Sequence, residues 1–177
     1  MGDIVINTHL KKSIRSILIS GLALGMASPA LADGLTGANV EVRLGYERLD
    51  EIGNPDGVTY GFRAGYQAPA SKDIVIGFDV GLDSSTTEYF GLSKSHDLSA
   101  MLKIGPRIGE NSLIYATGGY SRMKVKNFGS LDGWRVGVGW QHAISKSFYV
   151  GFEGNYTRYN EFNIDDNMVT LLAGLRL

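Results

Sequence analysis

Ser95, His96 and Asp97 stand side by side, and a serine, an imidazole and a carboxylate are the groups that acyl transfer employs. On a strand, however, consecutive residues point to opposite faces, so these three do not converge on one substrate. His142 is the other candidate base, close to a turn and without a positioned nucleophile in the sequence. Arg122, Lys124 and Lys126 alternate and suit the phosphates of lipopolysaccharide as point charges, or form a solvated hairpin flank. Glu161, Asp165, Asp166 and Asn167 carry oxygens of the kind calcium takes, but their spacing matches no ligand loop and reads as an acidic exposed segment. The chain has no cysteine, which excludes a disulfide scaffold, a thiolate metal site and a cysteine nucleophile. No catalytic residue, metal site or cofactor is expected from these groups.

The remaining charges are ordered by the elements that carry them. Residues 40–47 and 58–66 alternate apolar with polar or glycine side chains, as do residues 134–141. The same rhythm runs through 74–83 except at Val75, through 98–105 except at Met101, through 148–156 except at Tyr149 and Gly154, and through 169–177 except at Leu172. A period of two predicts strands with one apolar side, whereas a helical face would need spacings of three and four. Residues 113–120 are apolar and aromatic but ambiguous in phase: Leu113, Tyr115 and Thr117 form one face, and Ile114, Ala116 and Tyr120 the other. They make the fifth of eight strands.

The apolar phase of the seven clear strands holds no charge. The opposite phase collects Glu41, Arg43, Glu47, Arg63, Asp79, Asp83, Asp97, Lys103, Arg135, Glu153 and Arg176, interspersed with glycines. A soluble, lipocalin-like barrel would put its apolar side chains inside. An eight-stranded barrel has an interior only wide enough for side chains. Glycines beside long charged residues fit that space, and a shell of Tyr, Trp, Phe and Leu fits the outside. Arg or Lys at mid-bilayer on the lipid face would cost about 2–4 kcal/mol each, so this separation is what lipid demands. Within the lumen, the balanced charges predict a network of ion pairs, with Glu41, Arg43, Glu47, Arg63, Asp79, Lys103, Arg135, Glu153 and Arg176 as its members. Tyr46, Tyr60, Tyr66, Trp134, Trp140 and Tyr156 are expected in aromatic belts. Tyr60 and Tyr66, like Trp134 and Trp140, are six residues apart, about 20 Å along a strand.

Connections alternate in length as well. Long polar ones are expected at 49–56, 84–97, 121–132 and 157–167, and short turns at 67–73, 106–112 and 142–147. This is the plan of an all-β, eight-stranded, antiparallel up-and-down transmembrane barrel of the bacterial outer-membrane type, with both termini on the periplasmic side. Ahead of it, Lys11, Lys12 and Arg15 precede the apolar run 17–26 and the small residues Ala30 and Ala32. That is a secretory signal peptide over 1–32, cleaved before Asp33, leaving a barrel domain over 33–177. Three of the 17 basic and one of the 18 acidic residues lie in the leader, so the barrel has a net charge of −3. Nucleic acid is therefore no expected partner.

The segment Gly133-Trp134-Arg135-Val136-Gly137-Val138-Gly139-Trp140, the turn Ala143-Ile144-Ser145-Lys146, and Val150, Glu153 and Tyr156 beyond it resemble the small outer-membrane β-barrel family of opacity and surface-antigen type. Residues 113–120 are similar to that family's fifth strand. The resemblance implies a last strand read by the barrel-assembly machinery. Here that strand ends in Leu177 rather than in the family's usual aromatic residue. Some members of that family carry an appended periplasmic peptidoglycan-binding domain; this chain stops at its last strand, so that role is not expected of it. The expected function is non-enzymatic: a structural and surface-interaction protein of the envelope. Its partners would be outer-membrane lipid, lipopolysaccharide and an extracellular ligand met through loop residues such as Tyr89, Phe90, Leu92 and Phe128. A narrow porin-like channel is the alternative, and a lipid A-modifying enzyme the third class.

Overall fold

The computed structural model describes residues 35–50, 55–89, 92–125, 129–160 and 164–177. The expected leader with Ala30 and Ala32 lies outside these residues, as do Phe90, Lys126, Phe128 and Glu161.

Nine strands form in chain order: β1 (Gly37–Asp50), β2 (Asp56–Pro69), β3 (Ile74–Ser85), β4 (Glu88–Tyr89), β5 (Leu92–Ile108), β6 (Ser112–Val125), β7 (Gly129–Ala143), β8 (Phe148–Tyr159) and β9 (Ile164–Arg176). Eight are staves of one barrel, and β4 is a two-residue return that pairs only with β5. Each stave runs antiparallel to its sequence neighbour. β3 pairs with β5, and β9 with β1, which closes the sheet and leaves no edge. At one end, here the turn end, residues 70–73, 109–111 and 144–147 connect the staves and both ends of the barrel meet. Residues 51–55, 86–91, 126–128 and 160–163 connect them at the other, the loop end.

Local chemistry sets the turns. Ser71 Oγ accepts from the backbone N–H of Asp73 and Ile74 (3.3 and 3.2 Å), and Ser145 Oγ does the same for Ser147 and Phe148 (3.3 and 3.0 Å). A short hydroxyl side chain thus ties off backbone donors that the ladder cannot reach. Gly109 turns β5 into β6 at φ 68°, a conformation that costs a glycine nothing.

The connections depart from expectation. The loops anticipated at 84–97, 121–132 and 157–167 are mostly ladder: β3 continues to Ser85, β6 to Val125 and β7 starts at Gly129. Likewise, Gln67–Pro69 end β2, Pro106–Ile108 end β5, and His142 and Ala143 end β7. Beyond the apolar band the outer face turns polar, as at Arg122, Lys124 and Ser130 beside inward Met123 and Leu131, so the apolar-outward signal is lost while backbone pairing continues.

Side-chain direction follows the alternation. Among the apolar-phase residues of the seven clear strands none is buried, and Phe62, Leu102, Val138 and Leu171 are about two-thirds exposed. All eleven charged residues of the opposite phase are buried in the lumen. Val75, Met101, Tyr149 and Leu172, the apparent breaks, point inward and pack there. In β6 the ambiguity resolves: Leu113, Tyr115 and Thr117 face in, Ile114 and Tyr120 out.

A charged lumen closed at both ends

Each inward glycine that opposes a bulky neighbour makes room for it. Tyr115 pairs with Gly139 and Tyr149 with Gly174, while Asp83 and Asp79 oppose Gly61 and Gly65. A Cβ at Gly139 or Gly174 would overlap the facing tyrosine ring. Gly139→Ala and Gly174→Ala should therefore each lower barrel stability by about 1–3 kcal/mol. Gly118→Ala should be neutral, since the added methyl meets nothing within 4 Å. Denaturant midpoints of the three folded variants in detergent check this.

The room is used by one continuous chain of charge. Glu153 on β8 sits at its centre: its carboxylate accepts from Arg63 Nη1 and Nη2 (3.0 and 2.9 Å), Arg43 Nη2 (3.0 Å), Tyr115 OH (2.9 Å) and Asn155 Nδ2 (2.9 Å). The parallel Arg63–Glu153 contact matches the planar fork of guanidinium to carboxylate. Glu41 Oε1 lies 3.5 Å from Arg63 Nε, and its Oε2 accepts from Tyr149 OH at 3.0 Å. Arg43 reaches the other way, to Asp83 at 3.1 Å and Thr170 Oγ1 at 2.9 Å. Asp83 is shared with Arg135 (3.5 Å), and Arg135 donates to Asp97 at 2.5 Å and to Thr157 Oγ1 at 2.7 Å. Asp97 also accepts from Ser121 and from Tyr159 OH (2.8 Å). Lys103 forms a separate pair with Asp79 (3.1 Å) and lies 4.4 Å over the Tyr115 ring.

Seven of the nine expected network members thus stand in ion pairs drawn along the lumen, and the other two are buried there with partners as well. Of the other two, Arg176 lies at the turn end, donating to Gln67 (3.3 Å) over the Tyr149 ring (4.6 Å). Glu47 is buried toward the loop end. Asp83 and Asp97 turn out to be linking members, because each joins two otherwise separate partners. The tyrosines were harder to find: the sequence marks Tyr149 only as a break in the alternation and Tyr115 as one of two possible phases.

Apolar clusters seal this core. At the turn end Leu35, Val75, Leu113, Tyr115 and Ala143 pack inside the barrel. At the loop end Met123, Leu131 and Tyr159 do so, with Ile164 against them.

Outside, Tyr46, Tyr60, Trp134 and Tyr156 stand toward the loop end, and Tyr66 and Trp140 toward the turn end, by the ladder register. Trp134 packs on Tyr156, ring centroids 5.5 Å apart. Tyr120, opposite Trp134, joins the loop-end group.

One expectation about Ser95-His96-Asp97 is corrected. Ser95 Oγ does meet His96 Nδ1, at 3.2 Å, because the β5–β6 register shifts between Lys94 and His96 and turns the two side chains together. Asp97 still points away, into the lumen and onto Arg135. Asp165 and Asp166 fall on opposite faces, and among the described residues no group of three His, Cys, Asp or Glu is placed to hold a metal ion.

A closed, edgeless barrel with an apolar exterior and ionised interior is a transmembrane outer-membrane barrel. Residues 18–176 match the model of the outer membrane protein β-barrel domain, and the chain belongs to that family. No curated relative matches it in sequence. Among solved structures it is similar to neisserial surface protein A (15% identity over 80% of this chain and 97% of that one, TM-score 0.60) and to Ail, the attachment invasion locus protein of Yersinia pestis (19%, 80% and 99%, 0.52). It is also similar to the outer membrane enzyme PagL (13%, 78% and 99%, 0.54). At such identities the likeness speaks for the fold alone.

Proposed function

We propose that this is a non-enzymatic, non-conducting barrel that serves the envelope as a structural and surface-interaction protein. The observation that carries the reading is the lumen: a chain of buried ion pairs from Glu41 to Asp97, stoppered by apolar side chains at both ends. Moving an ion through it would require breaking ion pairs whose side chains are fully buried, which is costly. Against an enzyme stands the splitting of Ser95-His96-Asp97 between two faces, although a second serine and histidine, Ser112 and His142, do meet on the outer wall at 2.9 Å.

What remains for interaction is the outer wall and the loop end. On β5 and β6, His96 stands directly across from Lys124, with Arg122 two residues along. No acid faces outward at that level on either strand among the described residues, and Arg122 is held 3.4 Å from Asp132 of β7. This cationic patch, just beyond Tyr120, is suited to the phosphates of lipopolysaccharide. Ail has been crystallised in complex with the heparin analogue sucrose octasulfate, which supports a barrel of this fold taking an anionic ligand. We further assign β9, outwardly apolar at Val169, Leu171 and Leu175, as the strand offered to the barrel-assembly machinery, after export on the N-terminal leader.

In planar bilayers the purified barrel should give no steady conductance steps. Steps that vanish in Glu153→Ala or Arg63→Ala would instead establish a channel. Lipid A from cells with and without the protein should have the same mass spectrum, and a change in its acyl groups would establish an enzyme.

A further inference from the structure

His142 and Ser112 lie directly across from each other on β7 and β6, at the turn end of the outer wall. Ser112 Oγ is 2.9 Å from His142 Nδ1, and the imidazole stacks on Trp140 (centroids 5.6 Å, 14° between planes). Two residues loopward, Ile114 and Trp140 form the next cross-strand pair, and these with Val138, Gly139 and Phe152 line a hollow of about 440 Å³ in the apolar wall. Its opening arises because the cross-strand neighbours of Val138 are Ala116 and Gly154, and nothing stands within 4 Å of the place a Cβ of Gly154 would take.

We propose that the hollow and the Ser112–His142 pair form a seat for one ester-linked phospholipid of the leaflet at the turn end. The occupant follows from continuity: the hollow is part of a wall that already faces hydrocarbon, so an acyl chain is what enters it. The polar pair fixes the rest. It lies about 7 Å along the strand beyond the Ile114–Trp140 pair, on the turn-end side of the Trp140 belt, where the ester groups of a lipid meet the hydrocarbon. In the tautomer whose Nδ1 accepts the Ser112 hydroxyl, Nε2 carries the ring proton and is the donor available to an ester carbonyl oxygen. The Trp140 stack holds that ring in one plane. Lys146 is exposed in the adjoining turn and faces the water where the phosphate would lie. The seat depends on the lipid-facing wall and not on the closed lumen, so its failure would leave the non-conducting reading untouched.

Native mass spectrometry of the full chain, extracted from vesicles of diacyl phosphatidylethanolamine or of its diether analogue with the same chains, tests this. One diacyl lipid should be retained per barrel, and about five-fold less of the diether lipid, the worth of one lost hydrogen bond. His142→Phe keeps the stack and removes the donor, so it should reduce diacyl retention to the diether level. Val138→Phe fills the hollow and should abolish retention of both. Heat-shifted mobility on gels identifies folded barrels, and His142→Phe alone suffices if Val138→Phe does not assemble. Equal retention of both lipids by the native chain and by His142→Phe would overturn the seat in favour of unspecific annular lipid. Release of free fatty acid from the diacyl lipid would overturn it in favour of turnover, and a dimer that excludes lipid would overturn it in favour of a second copy.

Discussion

Replacing Glu153 with alanine should destabilise the barrel more than any other single change in the lumen. The carboxylate is fully buried and accepts five hydrogen bonds, three of them from Arg43 and Arg63. Its removal leaves Arg63 with the longer Glu41 contact at 3.5 Å, and leaves Tyr115 OH without its carboxylate. Breaking a buried pair from one side costs about 3–5 kcal/mol, because the surviving charge remains desolvated. That is a large share of the ~5–15 kcal/mol by which an ordinary domain is stable. The unheated, faster-running band on gels should therefore convert to the unfolded position well below the native temperature. Glu153→Gln keeps the shape and an acceptor oxygen and should lie between the two. By contrast, Arg122→Ala breaks a pair that is about half exposed on both sides and should change stability by no more than about 1 kcal/mol.

Placing a charge on the other face should be comparably damaging, for the opposite reason. Phe62 is 67% exposed and lies between the belt residues Tyr60 and Tyr66 on β2. If that face meets hydrocarbon, Phe62→Arg carries a guanidinium into mid-bilayer at about 2–4 kcal/mol. Folding yield into vesicles should fall accordingly. Asp50→Arg, outward at the loop end of β1, should assemble like the native chain, since the penalty drops to about 0–1 kcal/mol near the interface. A water-facing wall would tolerate both changes within about 0.5 kcal/mol.

Why was so much of this fold written in the order of residues? A strand's two faces are separated by a single step, so Val40-Glu41-Val42-Arg43-Leu44 declares both at once. The lipid and the narrow lumen impose opposite chemistries on those faces, which keeps the pattern sharp wherever both are in force. Where only one acts, the signal weakens. Past the apolar band, Arg122 and Lys124 face outward on β6 while Met123 between them packs inside, the reverse of the phase expected for a lipid-facing strand, and such stretches read as loops. Gly118 and Gly119 carry no side chain to reveal a phase, so the direction of β6 rests on Leu113 and Tyr115, whose place in the turn-end cluster is set by other strands. The members of the lumen network were legible because a charge opposite an apolar phase has only one place to go. Their pairing was not: Arg43 reaches Asp83 across 40 residues and Glu153 across 110, distances set by register and closure. The Ser95–His96 contact was hidden for a related reason, since a register shift leaves no mark in the spacing. Ser112 and His142, 30 residues apart, meet only through the β6–β7 ladder.

The partition itself is most directly read by spin labels. The chain contains no cysteine, so single cysteines at Leu102, Val138 and Leu171, each about two-thirds exposed, can be labelled without background and the protein folded into vesicles. Collision with oxygen, which concentrates in hydrocarbon, should dominate at all three sites, and a water-soluble nickel chelate should scarcely reach them. Equal or greater collision with the chelate would place these side chains in water and contradict the inside-out arrangement on which the rest depends.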